Sequence, residues 1–291
     1  MRYAEVRAHA EKVLAAAGVP SPRVDAELLL AHVAGTDRSG IQLGELLGRE
    51  LTGTQGARFD QLLARRAART PLQHLTGVAH FRHLDLTVGP GVFIPRPETE
   101  TVVQIGLDFL GRKQGVHLVD LCSGSGAIAA ALATEVPGST VWAVELSDEA
   151  IGYTRTNCEP HGITVLHADA GALPADLGLD GDIDLVISNP PYIPPNAIPR
   201  EIEARDHDPQ MALYGLGDDG LQVPRAVAAQ ALRLLKPAGL FVMEHAEVQQ
   251  ESAARLLTQT GFTAVRGHLD LNGRPRATSG VAPEKLSTMK E

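Results

Sequence analysis

Aromatic side chains are scarce in this 291-residue chain: Phe, Trp and Tyr make up 4% of it. The core must therefore be built from Leu, Val, Ile and Ala, within a globular balance of 44% apolar and 21% charged residues that excludes wholesale disorder. Cysteine is almost missing. Cys122 and Cys158 are the two present, and their spacing fits neither a disulfide scaffold nor a zinc ribbon. Long apolar runs are lacking too, since the longest, residues 127–133, is only seven residues and a bilayer span takes about 20. With no signal peptide in view, the expectation is a cytoplasmic protein with no membrane partner. Positive charge is in deficit, at a net −9. Residues 1–75 hold ten Lys/Arg against eight Asp/Glu, and the rest of the chain 16 against 27. Such an acidic body is a poor match for a phosphate backbone, so no direct nucleic-acid partner is expected. Eleven His are scattered; neither His80 with His83 nor Glu244 with His245 has a third convergent ligand, and no metal is assigned.

Glycine and proline, by contrast, are plentiful, with 29 and 19 residues. That favours a sheet with short strand-to-helix turns over a long-helix bundle. The length gives a prior of about two domains. Residues 1–75 read as a small helical domain: Val24, Leu28, Leu29, His32 and Val33 recur at helical spacing, as do Phe59, Leu62, Leu63 and Ala67. Ser21-Pro22 supplies a cap and a helix-initiating proline. Six glycines between Gly35 and Gly56 divide the stretch into short pieces. Residues 76–96 read as a hairpin linker, with a helix starting near Pro97. From residue 115 apolar, β-branched runs (116–121, 140–146, 163–167, 183–188, 239–244) alternate with helical patterns (127–134, 148–158, 221–235, 247–260). Continuous apolar strands alternating with helices predict an α/β fold, a doubly wound, mostly parallel sheet. Residues 263–268 and 276–281 add a last pair of strands, and residues 283–291 form a polar tail.

Two turns carry the chemistry. The first is Asp120-Leu121-Cys122-Ser123-Gly124-Ser125-Gly126, where the first strand of the alternation meets a helix. Ligands of open α/β sheets bind outside the carboxyl ends of the strands, and glycine lets backbone approach them closely. Glu145, about 20 residues on at the end of the next strand, is placed to accept hydrogen bonds from both ribose hydroxyls. The pattern Gly124-x-Gly126-x-x-Ala129 also satisfies the dinucleotide rule, and a turn required only for tight packing is the rival reading. Asp120 decides among ligands: a carboxylate before the turn repels pyrophosphate and suits an ammonium and a sulfonium, hence S-adenosyl-L-methionine. Asp169 lies where an adenine edge would be reached, with Ala170 beside the ring; a carboxylate capping the next turn fits equally well. Cys122 has no His partner and is taken as structural.

The second turn is Asn189-Pro190-Pro191-Tyr192, after the fourth strand. The prolines lock two φ angles and bias Asn189 to extended backbone. A planar NH2 group is a poor nucleophile because its lone pair is delocalised. Two fixed acceptors, the Asn189 side-chain oxygen and the Pro190 carbonyl, can take both N–H bonds and favour a pyramidal nitrogen as charge develops. Alignment is the larger effect, worth about 7–11 kcal/mol. Tyr192 lays its ring against the planar group. No general base is needed before attack, because methylation makes the proton acidic.

With these residues the chain resembles the class I S-adenosylmethionine-dependent amino-methyltransferases. Upstream, Phe93-Ile94-Pro95-Arg96-Pro97-Glu98-Thr99-Glu100 and the helical N-terminus are similar to the peptide chain release factor glutamine methyltransferases (the PrmC/HemK family), over residues 5–282. The resemblance implies a seven-stranded methyltransferase sheet, residues 97–282 as the cofactor-binding domain, and residues 1–75 as a docking domain. It implies methylation of the side-chain amide nitrogen of the Gln in the Gly-Gly-Gln loop of class 1 release factors, the expected partners, by a monomer. It assigns cofactor contacts to Cys122, Ser123, Gly124, Ser125, Gly126, Glu145, Ala170 and Asn189, and substrate contacts to Asn189, Pro190, Pro191 and Tyr192. Many relatives have Gly at the place of Cys122 and several an aromatic at that of Ala170. Arg96 and Glu98 either shape the substrate channel or form a plain salt bridge, and residues 196–219 read as a substrate-covering segment or a surface loop. Two rivals remain. An adenine-N6 DNA methyltransferase would use the same tetrad but need a basic cleft, and a non-catalytic binding module would have no use for the tetrad.

Overall fold

The computed structural model describes residues 1–199 and 201–284. They divide into two compact units: Met1–Val78 with Pro199–His207, and the remainder from Ala79 onward. From residue 285 the expected polar tail lies outside the described residues.

The first unit is helical, with α1 (Tyr3–Ala16), α2 (Pro22–Ala34), α3 (Arg38–Leu46), α4 (Gly53–Ala67) and the short α5 (Leu72–Thr76). Their ends follow local chemistry. Pro22 opens α2 and the left-handed Gly35 closes it, while Thr52 and Gln55 form a reciprocal cap at the start of α4. The glycines do not all break helices, since Gly40 and Gly44 lie inside α3. The core holds Leu14, Leu29, Leu30, Ile41 and Phe59. The face expected for α2 is buried at Leu29 and Val33 but shifted at its edge: Val24 is exposed, whereas Ala26 and Leu30 are fully buried. Three successive leucines leave the phase open from apolar spacing alone. The face actually buried also carries Asp25, which meets Arg66 of α4.

That contact is part of a buried ion network. Arg66 Nε donates to Asp25 Oδ2 at 2.7 Å, and its Nη2 lies 3.0 Å from Glu203. Glu203 belongs to a short helix, Ile202–His207, that reaches this unit from much later in the chain. Arg69 grips the same carboxylate with two hydrogen bonds, at 2.8 and 2.7 Å. Burial alone would raise the Glu203 carboxyl, but hydrogen bonds from Arg69 and Arg66 outweigh it and hold the group down at about 2. Arg66→Met, which strands the buried Asp25 carboxylate while Glu203 keeps Arg69, is expected to cost about 3–5 kcal/mol in urea unfolding. The Glu203 contribution is present above its unfolded value of 4.5 and is lost as pH falls from there toward 2. Glu203→Gln should therefore flatten the acid limb of a stability–pH curve.

In the second unit β1 (Val78–Phe81) and β2 (Leu84–Thr87) form the expected hairpin. Then come α6 (Thr99–Leu110), two residues later than Pro97, β3 (His117–Leu121), α7 (Ala127–Glu135), β4 (Thr140–Glu145), α8 (Ile151–Cys158), β5 (Thr164–His167) and β6 (Ile183–Ser188). The helix Ile202–His207 is α9 in chain order, followed by α10 (Gln210–Leu213), α11 (Gln222–Leu234), β7 (Leu235–Glu244), α12 (Gln250–Thr260), β8 (Thr263–Leu269) and β9 (Pro275–Val281). The sheet has seven strands in the order β5-β4-β3-β6-β7-β9-β8, parallel except that β9 runs against both neighbours. The expected doubly wound α/β class is borne out.

Alternation along each strand explains the continuous apolar runs. Leu118, Leu185 and Ile187 face a core shared with Val102 and Val103 of α6. Their neighbours Val119, Leu121 and Val186 face the opposite core, with Val227 and Ala231 of α11 and Leu257 of α12. Two segments differ from expectation: β7 begins at Leu235 rather than residue 239, and the loop read over residues 196–219 contains α9 and α10. Among the described residues no helix is long and apolar enough to cross a membrane.

Candidate active site

The chain winds from β3 through β4 to β5 on one side and resumes with β6 on the other, so β3 and β6 are adjacent where the strand order reverses. Clefts form at such points. Leu121 and Ser188, the last residues of these strands, lie in register, and the Ser188 hydroxyl donates to the Leu121 carbonyl at 2.6 Å. The glycine-rich turn and the Asn-Pro-Pro-Tyr turn therefore leave the sheet side by side. A cavity of about 670 Å³ opens there, within the range of small-molecule sites.

The glycine turn is shaped by steric need. Gly126 adopts φ +84° at the start of α7, and a Cβ there would meet the Cys158 sulfur at 2.8 Å. Cys122 also sits at positive φ, +64°, a conformation that costs a non-glycine residue about 1–2 kcal/mol. Burial pushes its thiol up, which makes it a poor nucleophile. Asp120 is turned differently from the sequence argument. Its carboxylate is fully buried, accepts from the Ser123 hydroxyl and from the Ala129 N–H at 3.2 Å, and is not among the cavity's lining residues. It braces the turn from behind. Burial pushes its carboxyl up to about 7, against the pull of those two hydrogen bonds. Between 3.8 and about 7 the folded protein holds a proton that the unfolded chain releases, so this group's contribution to stability falls as pH rises across that window. Asp120→Asn should remove this descent from denaturation midpoints taken between pH 4 and 8.

Of the other cofactor positions, Cys122, Ser123, Ser125, Glu145, Asp169 and Ala170 line the cavity, and Gly124 and Gly126 lie outside its lining. Backbone N–H groups of Gly124 and Ser147 each donate to one Glu145 oxygen at 2.7 Å, fixing the carboxylate at the end of β4. Asp169 accepts from the Gly171 N–H at 2.8 Å, as the turn-capping reading requires, and lines the cavity.

In the tetrad Asn189, Pro191 and Tyr192 line the cavity, and Pro190 is buried outside the lining. The Gln249 amide clamps the Tyr192 carbonyl at 2.8 Å. Asn189 Nδ2 donates to Thr99 Oγ1 at 3.4 Å, and the Thr99 hydroxyl in turn donates to Glu244 Oε2 at 2.7 Å. The Tyr192 hydroxyl donates to the other Glu244 oxygen at 3.3 Å. Burial pushes the Glu244 carboxyl up to about 7 and the Tyr192 phenol up as well. Arg96 and Glu98 stand outside the cavity lining. Arg96 pairs with the buried Asp208 at 2.5 Å and lies over the Phe93 ring at 5.0 Å, while Phe93 itself is a wall of the cavity. Sequence reasoning passed over Thr99, Glu244 and Gln249 as site residues. Only Glu244 had a signal: it ends β7 beside β6, as Asn189 follows β6.

The geometry has parallels among known proteins. A family described as "PrmC N-terminal domain" matches residues 5–77, and one described as "Methyltransferase small domain" matches residues 73–204. The fold is similar to that of the T. thermophilus 16S rRNA N2 G1207 methyltransferase, with a TM-score of 0.51 and 20% identity over 70% of this chain and 49% of that one. A protein of Bifidobacterium longum named release factor glutamine methyltransferase is 47% identical over 97% of this chain and 100% of its own. One of Streptomyces coelicolor with the same name is 49% identical over 92% of this chain and 94% of its own. At this identity over nearly the full length of both chains, this protein belongs to the release factor glutamine methyltransferase family.

Proposed function

We propose that the protein transfers a methyl group from S-adenosyl-L-methionine to the side-chain amide nitrogen of the Gln in the Gly-Gly-Gln loop of class 1 peptide chain release factors. The observation that carries this reading is Asn189 at the cavity wall with its NH2 committed to Thr99. Its side-chain oxygen takes no hydrogen bond from the described residues and is the acceptor offered to a substrate N–H.

The donor set fits the cofactor. The Glu145 carboxylate, locked by two N–H groups, keeps lone pairs for the ribose hydroxyls. Apolar walls at Leu146, Ala150, Ala170 and Ala226 suit a flat base, with Asp169 at its edge. Cys122, Ser123 and Ser125 present the turn to the amino-acid end. Bound there, the cofactor supplies an electrophilic sulfonium methyl. Asn189 and the Pro190 carbonyl accept the two amide N–H bonds and aim the nitrogen lone pair, while Pro191 and Tyr192 wall the planar group. These contacts strengthen as the nitrogen becomes positive.

The helical unit is proposed to dock the release factor, and α3 with the residue that follows it has surface for this in the exposed Leu43, Leu46 and Leu47. The named relatives favour this protein substrate over the adenine-N6 reading. Mass spectrometry of a purified release factor after incubation with the protein and labelled cofactor tests it. One added methyl on the loop Gln is expected; an unmodified factor, or label in duplex DNA offered in parallel, rejects the proposal.

A further inference from the structure

We infer that Glu244 is a positioning residue: through Thr99 it fixes which way the Asn189 amide faces, and so keeps an acceptor rather than a donor toward the substrate. The inference rests on the amide-methylation reading above and deepens it.

An asparagine amide can sit in either of two orientations that differ by exchanging oxygen and NH2. Nothing in the extended backbone of a proline-stiffened turn chooses between them. The choice is made by the neighbour, and that neighbour, a hydroxyl, can itself donate or accept. A carboxylate is different because it only accepts. Glu244 is 2% exposed and takes the Thr99 hydroxyl hydrogen at 2.7 Å. The Thr99 oxygen is then left as an acceptor, and Asn189 must turn its NH2 toward it, at 3.4 Å. The second Glu244 oxygen accepts from the Tyr192 hydroxyl at 3.3 Å, so one carboxylate orders both Asn189 and Tyr192. The polarity runs one way, from acceptor-only Glu244 at the end of β7 to the substrate acceptor beyond β6.

Protonated Glu244 reverses this order. A proton on its Thr99-facing oxygen makes Glu244 the donor there, the Thr99 hydrogen turns toward Asn189, and the amide must flip to meet it. The groups that set this titration are Thr99 and Glu98 around the start of α6, Tyr192, and Arg276 on β9. Burial and the Glu98 charge favour the neutral carboxyl; the two hydroxyls and Arg276 favour the ionised form.

The test measures single-turnover methylation of a release factor, with S-adenosylhomocysteine affinity and thermal unfolding recorded for each variant. Thr99→Val keeps shape but removes the hydroxyl, and is expected to lower kcat by about 10–100-fold with cofactor affinity held within about threefold. Thr99→Ser, which restores the hydroxyl and loses a methyl, should recover most of that loss; a packing role would show the opposite order. Wild-type kcat should fall below neutral pH by about tenfold per unit, a limb that Glu244→Gln abolishes. Thr99→Val combined with Glu244→Gln should be slowed by less than the product of the two single losses, because the two share the relay to Asn189 while Glu244 alone also holds Tyr192. Multiplying losses, or a Thr99→Val enzyme with wild-type kcat, would overturn the relay while leaving the functional reading intact. A wild-type protein that leaves the release factor unmethylated overturns both.

Discussion

Replacing Asn189 by Ala is expected to lower kcat for release-factor methylation by about 10²–10³-fold, the usual loss when one oriented transition-state partner is removed. Affinity for S-adenosylhomocysteine should change little. The reason lies in the division of labour along the strand ends. The groups proposed to hold the cofactor through the glycine turn, the ribose and the base hang from β3, β4 and the turn after β5, whereas Asn189 follows β6 and its NH2 is held by Thr99 of α6. Truncation removes the acceptor for one substrate N–H and leaves the Pro190 carbonyl to hold the other, so the amide can rotate and its lone pair loses its aim. Quenched-flow transfer of labelled methyl and calorimetric titration of the product cofactor measure the two quantities. An Asn189→Ala enzyme of wild-type rate would remove Asn189 from the chemistry. A fall in cofactor affinity as large as the fall in kcat would move it to the cofactor site.

The second large effect is expected from Gly215→Ala. Nothing about its backbone angle demands glycine, but a Cβ there would run into the Gly220 carbonyl and meet the Pro191 carbonyl at 2.5 Å. Both obstacles are main chain and cannot swing aside as a side-chain end would. Gly220 presses on the same loop from φ +72°, with a Cβ position 2.5 Å from the Tyr192 carbonyl. The segment after α10 thus lies flat against the tetrad. Gly215→Ala should cost about 3 kcal/mol of stability and at least about tenfold in kcat, since Pro191 and its neighbours must move and near-attack geometry does not tolerate a shift of about 1 Å. Gly217→Ala, in the same stretch, is the control. Its nearest neighbour is the Gln222 side chain at 3.4 Å, so it should carry only the left-handed backbone penalty of about 1 kcal/mol. Equal effects of the two substitutions on kcat would mean that the packing on the tetrad is incidental.

The sheet was readable because its central strands are buried on both sides. Residues such as Leu118 and Val119 serve opposite cores, which turns alternation into an unbroken apolar run. The two turns were readable because they are local, with every residue of each motif within a few positions of the next. What escaped sequence reasoning is what is distant. Thr99 and Glu244 are 145 residues apart in the hydrogen bond they share, and nothing in the local pattern around either one points to the other. Asp120 shows a subtler limit: its place before the turn was evident, but the direction of its side chain depends on Ser123 and the first turn of α7. The edge of the α2 face at Val24 was misjudged for a similar reason, because a buried Asp25 is intelligible only once Arg66 is across from it. Gly215 had no signal at all, its importance being the backbone it lies against.

The discontinuous helical unit bears on chimera design. A hybrid spliced at residue 78 would look modular, yet it would separate arginines 66 and 69 from the glutamate they enclose at position 203. Swapping the N-terminal portion between relatives therefore means transplanting two pieces of sequence, the first stretch and the short helix more than a hundred residues downstream, as one inseparable graft.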